Sequence, residues 1–252
     1  KIMKKLLPIL FVLIITSCSK EIPIDQVVEI DGIHYEIHSP EKPFTGVVFQ
    51  RNENGQLKYK STIKNGKLEG PFEVYYENGQ LESKRIWKDG TFNGPSEYYH
   101  ENGKLKEKTT HVKGIKKGPF EWFYKNGQLE FKGNYKNGWW DGPFEDFYEN
   151  GQLKTKSSYI LVPNKGPQLD GPFEDFYENG QLKSKGTRKG TRQDGTLHES
   201  SQDYYENGQL KYKWNYKDGK RDGLNEYYLE NGELQSSRCF KNGDPIDMSY
   251  CE

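Results

Sequence analysis

Alanine does not occur anywhere in the 252 residues, and apolar residues of every kind, tyrosine included, make up only 32% of the chain. With 18 tyrosines, 13 phenylalanines and 27 glycines in its place, helix propensity is poor and strand and turn propensity is high. One compact core of this size would be short of material, which favours a thin array in which each unit buries a little against its neighbours. Charge of either sign is not in excess either: 37 basic residues face 37 acidic ones, so no electrostatic case for nucleic acid exists. The five histidines (His34, His38, His100, His111 and His198) come with no Cys-x-x-Cys, His-Glu-x-x-His or phosphate-loop pattern. On a strand His34 and His38 would share a face but stand ~13 Å apart, too far for one metal. His100 fills a tyrosine slot of the pattern described below. The glycine-rich turns join strands to strands and never open a helix, so they offer no phosphate cradle. The chain is therefore read as non-enzymatic, with no catalytic, metal or cofactor residues.

Long apolar runs are equally scarce. The one present, Leu6 to Ile15, has ten residues including Pro8, well short of the ~20 that span a bilayer. It follows Lys4 and Lys5 and ends in Ile15-Thr16-Ser17-Cys18, so residues 1–17 read as an export signal. The ending resembles the lipobox of bacterial lipoproteins, which implies lipidation of Cys18. By the same resemblance, Ser19 implies sorting to the outer membrane. Loss of Lys1, Lys4 and Lys5 leaves 34 basic against 37 acidic residues, a net charge of −3. The expected location is the cell envelope, lipid-anchored and facing periplasm or surface. The two remaining cysteines, Cys239 and Cys251, would sit in an oxidising compartment. A terminal strand returning antiparallel would pair them, the alternative being two free thiols.

What the chain has in abundance is one phrase. Gly142-Pro143-Phe144-Glu145-Asp146-Phe147-Tyr148-Glu149-Asn150-Gly151-Gln152-Leu153-Lys154 returns unchanged at 171–183, and looser copies bring the number to eight. Marked by the glycine of each Asn-Gly pair (Gly55, Gly79, Gly103, Gly127, Gly151, Gly180, Gly208 and Gly232), the steps are 24, 24, 24, 24, 29, 28 and 24 residues. A fixed period of that size means a repeat architecture. Asn-Gly between aromatic and aliphatic residues predicts a two-residue hairpin turn with both residues at positive φ. In that register Tyr76 faces Leu81, Tyr75 faces Glu82, Val74 faces Ser83 and Glu73 faces Lys84. One face then carries Phe72, Val74, Tyr76, Leu81 and Trp87, and the other carries Tyr75 with the Glu73 and Lys84 pair. The same opposition recurs as Glu97 with Lys108, Glu121 with Lys132, Glu145 with Lys156, and Glu174 with Lys185. The leucine column from Leu57 to Leu234 is the expected buried seam. A second set of turns, from Asn65-Gly66 through Asp194-Gly195 to Asn242-Gly243, joins each hairpin to the next and favours an antiparallel meander.

The expected organisation is a signal peptide (1–17), a tether (18–26), an N-terminal cap (27–43) with strands at Val27 to Ile30 and Ile33 to Ile37 and the run then broken by Pro40 and Pro43, the array (44–243) and a C-terminal cap (244–252). Extra residues around Ile160 to Gln168 and Arg188 to Gln193 are expected to protrude. Glu199-Ser200-Ser201 replaces Gly-Pro-Phe in the seventh phrase, a junction expected to pack less well. The fold class is all-β, an elongated meander of eight stacked hairpins.

The aromatic pair, Glu-Asn-Gly-Gln-Leu, Lys-Asn/Asp-Gly and Gly-Pro-Phe together resemble the variant MORN repeat of bacterial YwqK-family antitoxin-like proteins, over about residues 44 to 243. The resemblance implies stacked hairpins in one sheet and an interaction role. An export signal argues against neutralising a toxin in the cytoplasm. On the Glu and Lys face runs a further column, Tyr75, Tyr99, Phe123, Phe147, Phe176, Tyr204 and Tyr228. It either holds the strands together or forms a contact strip for a protein, a peptide strand or a cell-wall glycan. The reading is a protein-interaction or scaffold module of the bacterial envelope, the alternative being a glycan-binding lipoprotein.

Overall fold

A computed structural model describes residues 20–192 and 195–251. Residues 1–19, expected to carry the export signal and Cys18, lie outside the described residues with Gln193, Asp194 and Glu252, and so do the side chains of residues 189–199. From Gly46–Arg51 to Asp244–Ile246 the strands follow one another in a single sheet, each antiparallel to the next. Among the described residues no helix is long and apolar enough to cross a membrane. The meander is thus the observed fold.

The inner part of the predicted register holds. Glu73 pairs with Lys84 and Val74 with Ser83, and the same Glu and Lys opposition appears at Glu97 and Lys108, Glu121 and Lys132, Glu145 and Lys156, and Glu174 and Lys185. The turn itself differs from the expectation. Tyr75 pairs with Leu81 across a bulge, so that neither Tyr76 with Leu81 nor Tyr75 with Glu82 is a pair. Gly79 is at φ 84° while Asn78 is absent from the positive-φ residues. The amide of Gly79 donates to the carbonyl of Tyr76 (2.9 Å) and the amide of Tyr76 to that of Gln80 (2.8 Å). This is a type I turn followed by a left-handed glycine, which takes up the extra length as a bulge. The two-residue turn with both residues at positive φ exists, but in the second set: Asn65 and Gly66 (49° and 79°), and Asn242 and Gly243 (52° and 98°).

The leucine column is not the buried seam. Its members are half-buried from Leu57 to Leu210, and Leu234 is 53% exposed, because the bulge sets them at the margin of the sheet, beside the turns. What is buried lies one row further in. Phe120 (1% exposed) and Phe173 (4%) fill it together with Ser96 and Ser201, large residues against small. Phe120 pairs with Gly133, where an added Cβ would stand 2.9 Å from the phenylalanine ring. Serine is buried here for its size. Ser201 is buried between Gly186 and Trp214, while a hollow of about 380 Å³ bordered by Pro172, Thr187, Ser200 and Asn215 lies at this seventh junction. Rings continue outward on this face: Phe131, Tyr135 and Trp140 surround Phe120 at 6.0, 4.6 and 5.7 Å.

The tether is shorter than expected. Glu21–Pro23 is an edge strand parallel to Gly46–Arg51, and Ile22 is buried with Phe44, Val48 and Ile63. The cap strands Val27–Ile30 and Ile33–Glu36 pair as read, and Ser39–Pro43 adds a third despite Pro40 and Pro43, since an edge strand tolerates missing donors. The insertion near Ile160 lengthens one hairpin by regular pairing, with Ile160 opposite Gln168 and Val162 opposite Gly166.

A meander with strands ~4.8 Å apart should extend on the order of 80 Å. Small-angle scattering should therefore give a radius of gyration of about 25 Å, whereas a compact chain of this length would give about 18 Å. The compact value would exclude the extended sheet in solution.

Candidate functional site

The repeated face is built by register alone. Because hairpins pair with one another as well as internally, the ladder crosses the sheet without a break: Lys60, Glu73, Lys84, Glu97, Lys108, Glu121 and Lys132, then Glu145, Lys156, Glu174 and Lys185. Beyond it Gln202 interrupts the acids before Lys213 and Glu226 resume them. Ion pairs close at 3.1 Å (Lys84 and Glu73), 2.8 Å (Lys132 and Glu145) and 3.1 Å (Lys213 and Glu226). With lysines about two-fifths exposed, each contributes at most ~1 kcal/mol.

The structure brings the seven candidate contact residues together along this ladder. All are half-buried. Tyr75 donates to Glu73 (2.9 Å), Tyr99 to Glu97 (2.8 Å) and Tyr204 to Gln202 (2.7 Å), while the Lys132 ammonium lies 5.7 Å from the Phe147 ring centre. Burial first, then the bond to the glutamate, pushes the Tyr75 and Tyr99 hydroxyls up to about 12. They remain neutral donors at physiological pH. The strip is thus a row of ring edges and faces, flanked by alternating charge.

Sequence reasoning missed how adjacent hairpins are fastened. The second aromatic of each pair reaches into the next repeat: Tyr76 donates to the carbonyl of Tyr99 (2.7 Å), Tyr124 to Phe147 (2.8 Å), Tyr148 to Phe176 (2.8 Å) and Tyr177 to Tyr204 (2.8 Å). His100 does the same through Nε2 to Phe123 (2.8 Å), which explains why histidine can fill a tyrosine slot. The turn asparagine is used twice. Oδ1 of Asn150 accepts the Gln152 amide (2.8 Å) and its Nδ2 donates to the Glu178 carbonyl one repeat on (3.1 Å). The signal was the turn Asn in all eight repeats, with Tyr before it in five of them, across repeats of unequal length. Tyr148→Phe should cost about 0.5–1.5 kcal/mol, read as a lower urea midpoint with unchanged slope. An unchanged midpoint would remove the fastening role.

The aromatic face also holds a buried polar group that does not repeat. Glu107 (8% exposed) pairs with Lys116 at 2.8 Å, and His111 (6% exposed) stacks on Phe92 at 3.9 Å. Burial first, then Lys116, lowers the His111 pKa, so it stays neutral. Neither His34, bonded through Nδ1 to the Gly66 carbonyl (2.8 Å), nor any other residue joins a metal set: among the described residues no group of three or more His, Cys, Asp or Glu could hold an ion. At the far end Cys239 and Cys251 are joined, with Cα atoms 5.9 Å apart.

A single-layer sheet of fastened, near-identical hairpins defines the class: a repeat array of the binding or scaffold kind, whose surface is its product. The family model described as MORN repeat variant matches residues 44–65, 68–89, 92–113, 116–137, 140–160, 169–189, 200–218 and 221–242. The chain belongs to that family. No curated protein matches it. Among solved structures, one titled TcdB2-TccC3-Cdc42 is 10% identical with a TM-score of 0.23, covering 84% of this chain and 13% of its own. A porin-like protein from Bacteroides uniformis ATCC 8492 is 9% identical with a TM-score of 0.20, covering 79% and 91%. The chain thus spans about an eighth of the first of these, and neither likeness bears on function.

Proposed function

We propose that this array is a non-enzymatic, YwqK antitoxin-like interaction module of the bacterial envelope, held by a lipid on Cys18, that offers its ladder face to a protein partner. The observation that carries this is the unbroken row from Lys60 to Lys185 with half-buried rings beside it. Such a face repeats one chemical pattern every hairpin, which suits an extended partner bound at several points by many weak contacts. The anchor rests on the basic flank, short apolar run and small residues before Cys18.

Cys18→Ala should move the protein from the membrane fraction to the soluble one and abolish incorporation of labelled palmitate. Retention of both would refute the anchor. For the face, a photo-crosslinking residue at Tyr99 or Phe147 should trap one envelope protein in living cells, and the same probe at Phe131 on the opposite face should not. Equal capture from both faces would refute the strip, and capture of peptidoglycan instead would favour the glycan alternative.

A further inference from the structure

The phenylalanine that precedes four of the ladder acids (Phe72, Phe120, Phe144, Phe173) gives way to serine at Ser96 and Ser201 and, in the last repeat, to Asn225. Its Oδ1 accepts the Asn215 amide at 2.8 Å, which turns the short side chain away from the volume a ring occupies elsewhere. A hollow of about 320 Å³ is left on the aromatic face, lined by Trp214, Arg221, Tyr227, Arg238 and Phe240 around Asn225. Tyr212 stacks on both Trp214 and Tyr227, at 5.0 and 4.8 Å, forming one continuous wall. The Arg221 guanidinium stands against that wall, 4.5 Å from the Trp214 ring centre and 5.3 Å from that of Phe240. The acids are otherwise engaged: Glu226, which itself lines the hollow, pairs with Lys213 (3.1 Å), Asp203 accepts the Trp214 indole N–H (3.3 Å), and Asp222 pairs with Lys241 (3.3 Å).

We infer that this hollow is a binding site for a carboxylate-bearing sugar ring, as in a uronic acid or a lactyl-substituted amino sugar. The wall of tyrosine and tryptophan faces presents the negative side of their quadrupoles, which attracts the C–H face of a sugar. Arg221 and Arg238 both line the hollow, and a guanidinium suits a planar carboxylate, which it can grip with two parallel N–H donors. A few polar groups on a mainly aromatic concavity are also the usual build of a small-ligand site. This site is independent of the ladder face, so the failure of either reading leaves the other standing.

Titration of the full chain with glucuronate and with N-acetylmuramate, followed by tryptophan fluorescence and by the shift of the Trp214 indole N–H resonance, tests it. Saturable binding at about 1 mM or tighter is expected, with glucose and N-acetylglucosamine at least about tenfold weaker because they lack the charge. Arg238→Gln, at an exposed position, should weaken the acidic sugars about tenfold and leave the circular dichroism unchanged. Asn225→Phe should abolish binding by filling the hollow. That variant reproduces a pair the chain already contains, since Arg85 lies over Phe72 at 5.0 Å. No saturation by either acid, equal affinity for the neutral sugars, equal affinity for plain acetate, or binding that survives Asn225→Phe in a folded protein would each overturn the assignment.

Discussion

Phe120→Ala should cost about 3–5 kcal/mol, the penalty for emptying a buried aromatic site, and lower the unfolding midpoint by roughly 10 °C. The ring is 1% exposed, is surrounded by Phe131, Tyr135 and Trp140, and lies against Gly133. Nothing there can collapse into the space, because the opposing glycine has no side chain and the strands are pinned by their ladder. In a repeat array each unit leans only on its neighbours, so a defect in the fourth hairpin should also split the transition. Hydrogen exchange should then be faster on both sides of residue 120 than near residue 60. Leu234→Ala is the matched control. At 53% exposure it should change stability by no more than about 0.5 kcal/mol. If the leucine costs as much as the phenylalanine, the buried row has been placed wrongly.

Cys251→Ser should loosen the last hairpin by about 3 kcal/mol, the chain-entropy value for a short closed loop. The bridge spans 12 residues and ties the turn-like segment Met248–Tyr250 back to Leu234–Lys241, where Cys239 is 2% exposed. Among the described residues, Asp244–Ile246 pairs with no strand other than Leu234–Lys241. Amide exchange in residues 234–246 should accelerate, while the segment around Ile63 remains unaffected. Reductant should reproduce the change in the wild type and add nothing in the variant. An additional effect of reductant on Cys251→Ser would show that something other than this bridge was being measured.

The inner register was legible because period 2 fixes it: once Asn150-Gly151 reverses the chain, Glu145 must meet Lys156 and Phe144 must meet Ser157. Hairpin order followed from the short second turns. The details at the turn were less legible. Asn-Gly is compatible with either a two-residue turn or a type I turn with a left-handed glycine, and the pair of letters does not choose. The choice is made by a neighbouring repeat, since Asn150 must both cap Gln152 and reach Glu178. Likewise eight invariant leucines looked like a core, yet invariance here reflects a repeated place at the sheet margin. Ser201, in the phrase that departs from Gly-Pro-Phe, is nonetheless buried, as is Ser96.

The sequence by itself determined the all-β class, the number of units, the antiparallel order and the alternation of charge, since all of these follow from local turn chemistry and a two-residue side-chain period repeated eight times. Only the tertiary structure decided which row is buried, how one hairpin is fastened to the next, that residues 21–23 join the sheet, and that Asn225 opens a hollow. Those depend on side-chain volumes and carbonyl positions in neighbouring strands, 10 to 28 residues away, which the letters of one strand do not encode.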